Sequence, residues 1–263
     1  MSWIGATVYK IRSRIKQSAA ERQFRKNIEK YPPIIVYQMG KVGSTSIYNS
    51  LKTAYKDEVL HKHTLHKKED WKSAMVLEHV LAHKLPLKLI SLVREPVSRN
   101  ISSFFQNFEK VTGIAPNKSV FTTEELTQFI LTSDKFDTNA PLTWFNENPL
   151  KDFGIDVYSH PFPKEEGWTI IKTQGNTELL LMKAEISDTK KELLIRDFTG
   201  LPAFRLVSSN IGEGKDYAEL YTKLKKEIRL PADYLDIFYS SPAVQHFYSE
   251  SELEEARKKW NKR

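Results

Sequence analysis

Apolar residues along the chain gather in short continuous runs, each followed by a longer stretch in which they recur every three or four positions. A short run bounded by turn residues reads as a buried strand, and the spaced pattern reads as an amphipathic helix. Three such pairs fill the first half: "PIIVYQ" before a helix over 44–56, "EVLHKH" before a helix over 69–84, and "PLKLISLV" before a helix from about Pro96 to Phe108. In the third helix Val97, Ile101, Phe104, Phe105 and Phe108 form the apolar stripe, and Pro96 fits an early helical position. The alternation predicts an α/β fold, a parallel sheet flanked by helices. Residues 109–165 read as helix and loop. "GWTIIKTQGNTELLLMKAE" then reads as two strands about a Gln-Gly-Asn turn, and segments 189–198, 216–228 and 250–261 as helices, with "SSNIGEGKDY" a polar loop among them.

Composition fits that picture. With 263 residues, 40% hydrophobic and 11% aromatic, the chain can bury one large α/β core. No run of about 18 apolar residues is present, and "MSWIGATVYKIRSRIK" lacks the apolar centre and cleavage site of a secretory signal, so a cytoplasmic protein is expected. The absence of cysteine excludes disulfides, thiolate catalysis and Cys-based metal sites.

Charge divides the chain into an arm, 1–30, and a domain, 31–263. The arm holds eight Lys or Arg against Glu21 and Glu29, so nearly all of the net charge of +7 belongs to it. Within it Ile4, Val8, Ile11 and Ile15 share a helical stripe beside Trp3, with basic side chains on the other faces. Such a helix either docks peripherally on an anionic membrane surface or packs against its own domain or a sister subunit, which would make a homodimer. Nucleic-acid binding is not expected, because the domain carries almost no basic excess to continue a footprint.

Candidate chemistry lies where the strands end, since open parallel sheets bind ligands beyond the carboxyl ends of their strands. "YQMGKVGSTSIYNSL" places Lys41, Gly43, Ser44, Thr45 and Ser46 at a helix start, where unpaired N–H groups and the helix dipole favour an anion. The hydroxyls also suit simple helix capping. Lys41 precedes Gly43 and an upstream glycine is missing, so the stretch is not a nucleoside-triphosphate P-loop. His61 and His63 end the second strand and Arg94 follows the third.

The order Lys-x-x-Ser-Thr-Ser in "KVGSTS" resembles the 5′-phosphosulfate loop of carbohydrate sulfotransferases. "LVREPVSRNISSFF" resembles the 3′-phosphate motif of the same superfamily, and "HKH" lies between the two motifs, as does the His-x-His of uronyl 2-O-sulfotransferases. "LLLMKAEISD" and "LLIRDFTGLP" resemble, more loosely, the later strand, loop and helix of that fold, and overall the chain is similar to bacterial capsular-polysaccharide-type sulfotransferase-like proteins. The resemblance implies a P-loop-like sheet binding 3′-phosphoadenosine 5′-phosphosulfate without a metal, through Lys41, Gly43, Ser44, Thr45, Ser46, Arg94 and Ser102. It also implies His63 as catalytic base, with His61 orienting it and Lys41 stabilising the transferred group, and a saccharide hydroxyl as acceptor in polysaccharide biosynthesis. Arg99 fills a motif position, or pairs with Glu95 four residues earlier. Other readings are a satisfied histidine pair, a metal site of His61, His63 and His66, a P-loop kinase-like phosphotransferase, and a catalytically silent nucleotide-binding scaffold of a polysaccharide assembly.

Overall fold

The computed structural model describes residues 18–65, 70–207 and 217–261. Residues 18–30 of the basic arm form helix α1. Its Phe24 and Ile28 are each only 2% exposed, Phe24 packs edge-on against Trp71 at 5.4 Å, and Glu29 pairs with His79 at 2.9 Å. The stripe of Ile4, Val8, Ile11 and Ile15 lies outside the described residues.

Five strands make one sheet: β1 (Ile34–Tyr37), β2 (Val59–Lys62), β3 (Leu87–Val93), β4 (Trp168–Lys172) and β5 (Thr177–Lys183), in the order β2-β1-β3-β5-β4. Four of them run parallel, and β4 lies antiparallel to β5 at one edge. The short apolar runs become strands because helices cover both faces: every residue of β1 is buried, as is nearly every residue of β3 and β5. The Gln-Gly-Asn turn does join two strands, but only the second, β5, enters the parallel core.

The helices that follow the first three strands are α2 (Thr45–Ala54), α3 (Trp71–Met75, continuing as a π-helical turn over Val76–Leu81) and α4 (Pro96–Gln106). The stripe of α4 is fully buried, and Glu95 caps its start by accepting from the N–H groups of Val97 and Ser98. It stops two residues short of the expected Phe108, because Asn107 leaves helical geometry (φ −103°, ψ 15°), and Phe108 opens the short helix α5 (Phe108–Thr112). Beyond it stand α6 (Thr123–Thr132), α7 (Ala140–Glu147), α8 (Pro149–Phe153), α9 (Asp188–Thr199), α10 (Ala218–Glu227), α11 (Ala232–Tyr239), α12 (Pro242–Gln245) and α13 (Glu250–Trp260). Most of the polar loop "SSNIGEGKDY" lies outside the described residues.

This strand order fixes where a ligand can bind. From β1 the chain moves to β2 on one side and then returns to β3 on the other, so the carboxyl ends of β1 and β3 open onto a topological switch point. Gln38, His63, Arg94 and Ala184 all follow the ends of parallel strands and gather at that edge of the sheet.

Candidate functional site

The loop from β1 to α2 turns through two left-handed residues, Lys41 (φ 74°) and Gly43 (φ 85°). A Cβ on Gly43 would meet nothing within 4 Å, so the glycine is required by backbone angle and not by space. Lys41 holds the same region without that freedom, at a cost of about 1 kcal/mol. Val42 and Ser44, buried on either side of exposed Gly43, anchor the turn.

Both arginines of the second motif grip this loop. Arg94 Nη1 donates to the Lys41 carbonyl at 2.7 Å, and Arg99 Nε donates to the Gly40 carbonyl at 3.1 Å. In a trans peptide the N–H points opposite to its C=O, so fixing these two carbonyls also fixes the N–H groups of Lys41 and Val42 toward the other side. Arg99 is itself held by Asn100 Oδ1 and the Asp137 carbonyl. Burial pushes its guanidinium down to about 10, with Asp137 opposing, and it stays charged at neutral pH. The expected Arg99–Glu95 pair does not form. Glu95 folds forward over its own helix start and also accepts from the Tyr239 hydroxyl at 2.7 Å and Trp260 Nε1 at 3.2 Å, while Arg99, one turn on, faces the loop.

On this β3 side a cavity of about 440 Å³ opens beside the loop. Gly43, Ser46 and Ile47 of the first motif and Arg94 and Ser98 of the second line it, and Lys191, Lys225 and Lys259 converge from α9, α10 and α13. Ser98, one turn before Ser102, is the serine of that helix on the cavity wall; Lys41, Ser44 and Thr45 are not among the lining residues. Glu185 and Asp188 face the cations, and Asp188 pairs with Lys191 at 3.0 Å. Removal from water lowers Lys259 from its ordinary value; Glu95 opposes this, while Lys225 and Arg94 push the same way. Desolvation moves Glu185 up, the backbone N–H of Glu95 and the Tyr248 hydroxyl oppose this, and the Glu95 charge adds to it; its surface is open to the cavity, so solvent screens most of the energetic consequence.

On the β2 side the loop meets the histidines, whose rings lie 5.5 Å apart. His63 Nδ1 is 2.7 Å from the Gln38 carbonyl. Gln38 Nε2 stands farther from the same nitrogen, at 3.4 Å; since a carbonyl only accepts, the shorter contact places a proton on Nδ1, and in the neutral form of this exposed ring Nε2 then bears the lone pair. Trp144 Nε1 holds the His63 carbonyl at 3.0 Å. His61 is different. Its Nε2 lies 2.9 Å from Ser44 Oγ and 3.1 Å from Gln38 Nε2, and burial, with His63 adding, pushes it down to about 4. The third histidine, His66, lies outside the described residues.

The loop therefore joins Lys41, Gly43 and Ser46 to Arg94 on one side and to His61 and His63 on the other. Motif reading missed Gln38, Ser98, Trp144 and the three cavity lysines. Gln38 and Ser98 stand inside the quoted motifs and were within reach; the lysines come from three separate helices and carry no local signal.

No curated protein and no solved structure matches the chain. The model of the NKWYS family, described as "Putative capsular polysaccharide synthesis protein", matches residues 113–249, more than half of the sequence, and the chain belongs to that family.

Proposed function

We propose that the protein transfers a sulfuryl group from 3′-phosphoadenosine 5′-phosphosulfate to a hydroxyl of a saccharide used in polysaccharide synthesis, on a P-loop-like sulfotransferase scaffold. The observation that carries this reading is the clamp of Arg94 and Arg99 on the carbonyls of Gly40 and Lys41, beside a cavity where Lys191, Lys225 and Lys259 converge. A single phosphate would not need cations on so many walls; a nucleotide with phosphates at both ends of its ribose would. The NKWYS match supports a saccharide as the acceptor class, and its segment holds Asp137 and Trp144, which brace Arg99 and His63, as well as Lys191 and Lys225.

In the reaction, the acceptor oxygen attacks sulfur, the bond from sulfur to the bridging phosphate oxygen breaks, and 3′-phosphoadenosine 5′-phosphate leaves. His63 Nε2 takes the acceptor proton. Lys41 and the N–H groups of residues 43–46 stabilise charge on the sulfuryl and bridging oxygens, so catalysis is mostly positioning and preorganised electrostatics. No metal enters this scheme.

Thermal shift decides the ligand. The bisphosphate nucleotide should stabilise the protein without metal and more strongly than ADP, whereas stabilisation by ATP with Mg²⁺ alone would move the reading to a phosphotransferase. Nucleotide binding with no turnover on any sulfatable saccharide would leave a silent scaffold subunit.

A further inference from the structure

His61 sits on β2 opposite Val36 of β1, and its ring is held from three directions. Ser44 Oγ and Gln38 Nε2 both approach Nε2, at 2.9 and 3.1 Å, and the ring face stacks on Tyr48 with centroids 5.2 Å and planes 22° apart. These partners bracket the cradle. Gln38 precedes the turn, Ser44 follows Gly43, and Tyr48 lies one turn along α2 with its N–H on the Ser44 carbonyl at 2.9 Å.

The proton inventory fixes the role. With the Gln38 amide nitrogen toward the ring, the amide donates to His61 Nε2 and its own Oε1 stays buried without a partner, while the Ser44 hydroxyl, the nearer of the two groups, meets the same ring nitrogen. A nitrogen engaged in this way is poorly placed to take a proton from a substrate. Ser44, only 4% exposed, spends its hydroxyl on His61 and makes no capping bond to the first turn of α2, although it stands at the cap position with φ −78° and ψ −11°. His63 offers the contrast: its Nδ1 meets the Gln38 backbone carbonyl at 2.7 Å, the Gln38 amide nitrogen stands off at 3.4 Å, and its ring is exposed.

We propose that His61 is a positioning residue of the cradle: as a neutral acceptor it ties Ser44 to β2, and through Ser44 it presets the Gly43 turn and the first turn of α2 for an anion, while taking no proton itself. The anion's identity rests on the sulfotransferase reading; the tie itself does not.

The test uses the full chain and two readouts. The first is hydrogen exchange at the amides of residues 43–47 without ligand. His61→Ala and Ser44→Ala should each speed exchange by about 5- to 10-fold, the scale of one hydrogen bond, and the double variant should be no faster than either. His61→Gln should restore protection, because its amide oxygen reaches the place of Nε2, whereas the shorter His61→Asn should not. The second readout is calorimetric affinity for 3′-phosphoadenosine 5′-phosphate, in which the same variants should rank in the same order. If the wild type binds no such nucleotide, the sulfotransferase reading falls and exchange alone decides the tie. Additive effects in the double variant, or no difference between His61→Gln and His61→Asn, would overturn it. So would a His61→Gln protein with full loop protection that has lost turnover by 10²-fold or more, since a proton carrier and not a tie would then be missing. Should His61→Ala fail to fold, the Gln and Asn pair carries the comparison.

Discussion

On its β2 side the β1–α2 loop meets two imidazole rings and a buried amide; on its β3 side it meets two guanidinium groups, beside a cavity lined by three lysines. The β2 side is a network of hydrogen bonds converging on ring nitrogens, so its energetics depend on which nitrogen donates. On the β3 side cations outnumber the facing carboxylates of Glu185 and Asp188, and Lys259 is lowered first by removal from water and then because Lys225 and Arg94 stand near it. An arrangement of that kind gains free energy when an anion enters, whereas the histidine side gains nothing from charge and offers a lone pair. One loop therefore separates a place suited to holding a polyanion from a place suited to accepting a proton, the division of labour that group transfer to a hydroxyl requires.

The largest expected effect breaks the division from the histidine side. His63→Ala should lower turnover on a sulfatable saccharide by about 10² to 10⁴-fold, the usual contribution of a general base, with donor affinity nearly unchanged because the ring does not line the cavity. Steady-state kinetics alongside calorimetry would check both halves. A wild-type rate in that variant removes His63 from the reaction.

A smaller effect is expected from the cationic side, and it should appear in binding. Arg94→Ala removes a charge from the cavity wall and frees the Lys41 carbonyl, so affinity for 3′-phosphoadenosine 5′-phosphate should fall by roughly 10- to 100-fold. Ser98→Ala and Ser102→Ala separate the cavity wall from the motif position: loss in Ser98→Ala alone would follow the geometry, and loss in Ser102→Ala alone would follow the resemblance. Equal affinity for ADP and the bisphosphate nucleotide in the wild type would remove the argument for a second phosphate.

How much of this was legible in the sequence follows physical lines. The first and third strand and helix pairs were readable because β1 and β3 are buried on both faces, which leaves an uninterrupted apolar run, and α2 and α4 keep a 3.6-residue stripe; edge strand β2 showed only its first two apolar residues, and its helix passes into a π-helical turn. The short helices α11 and α12 escaped because eight and four residues make too few turns to establish a period. At the site, residues close in sequence to the loop were visible as motifs. The partner of Arg99 was not, because the Gly40 carbonyl that it grips is a backbone group 59 residues away, and backbone carbonyls have no letter in a sequence. Nor was the difference between His61 and His63. Strand alternation places both rings on one face, and only the tertiary contacts of Ser44, Tyr48 and Gln38 make one ring a half-buried, engaged one and leave the other exposed.

The smallest expected effect sharpens that last distinction through pH. His61 sits near 4 in the folded protein because burial disfavours its charged form, whereas an unfolded chain returns it to about 6.5. Between those values the unfolded state binds more protons than the folded state. The neutral ring's contribution to stability is therefore complete above about pH 6.5 and is lost as pH falls toward 4, with no further loss from this group below that. The ring keeps some contact with solvent, so the full shift overstates the energy, and about 1–2 kcal/mol is expected after discounting for screening. Urea unfolding of the wild type and His61→Gln from pH 7.5 to 4 would measure it. Glutamine does not titrate, so the variant should lose less stability over this interval by that amount, while both proteins share every other titration. Parallel pH dependences in the two proteins would mean that His61 keeps its ordinary affinity for protons when folded, and the contrast between a half-buried, engaged ring and an exposed one would then have to be withdrawn.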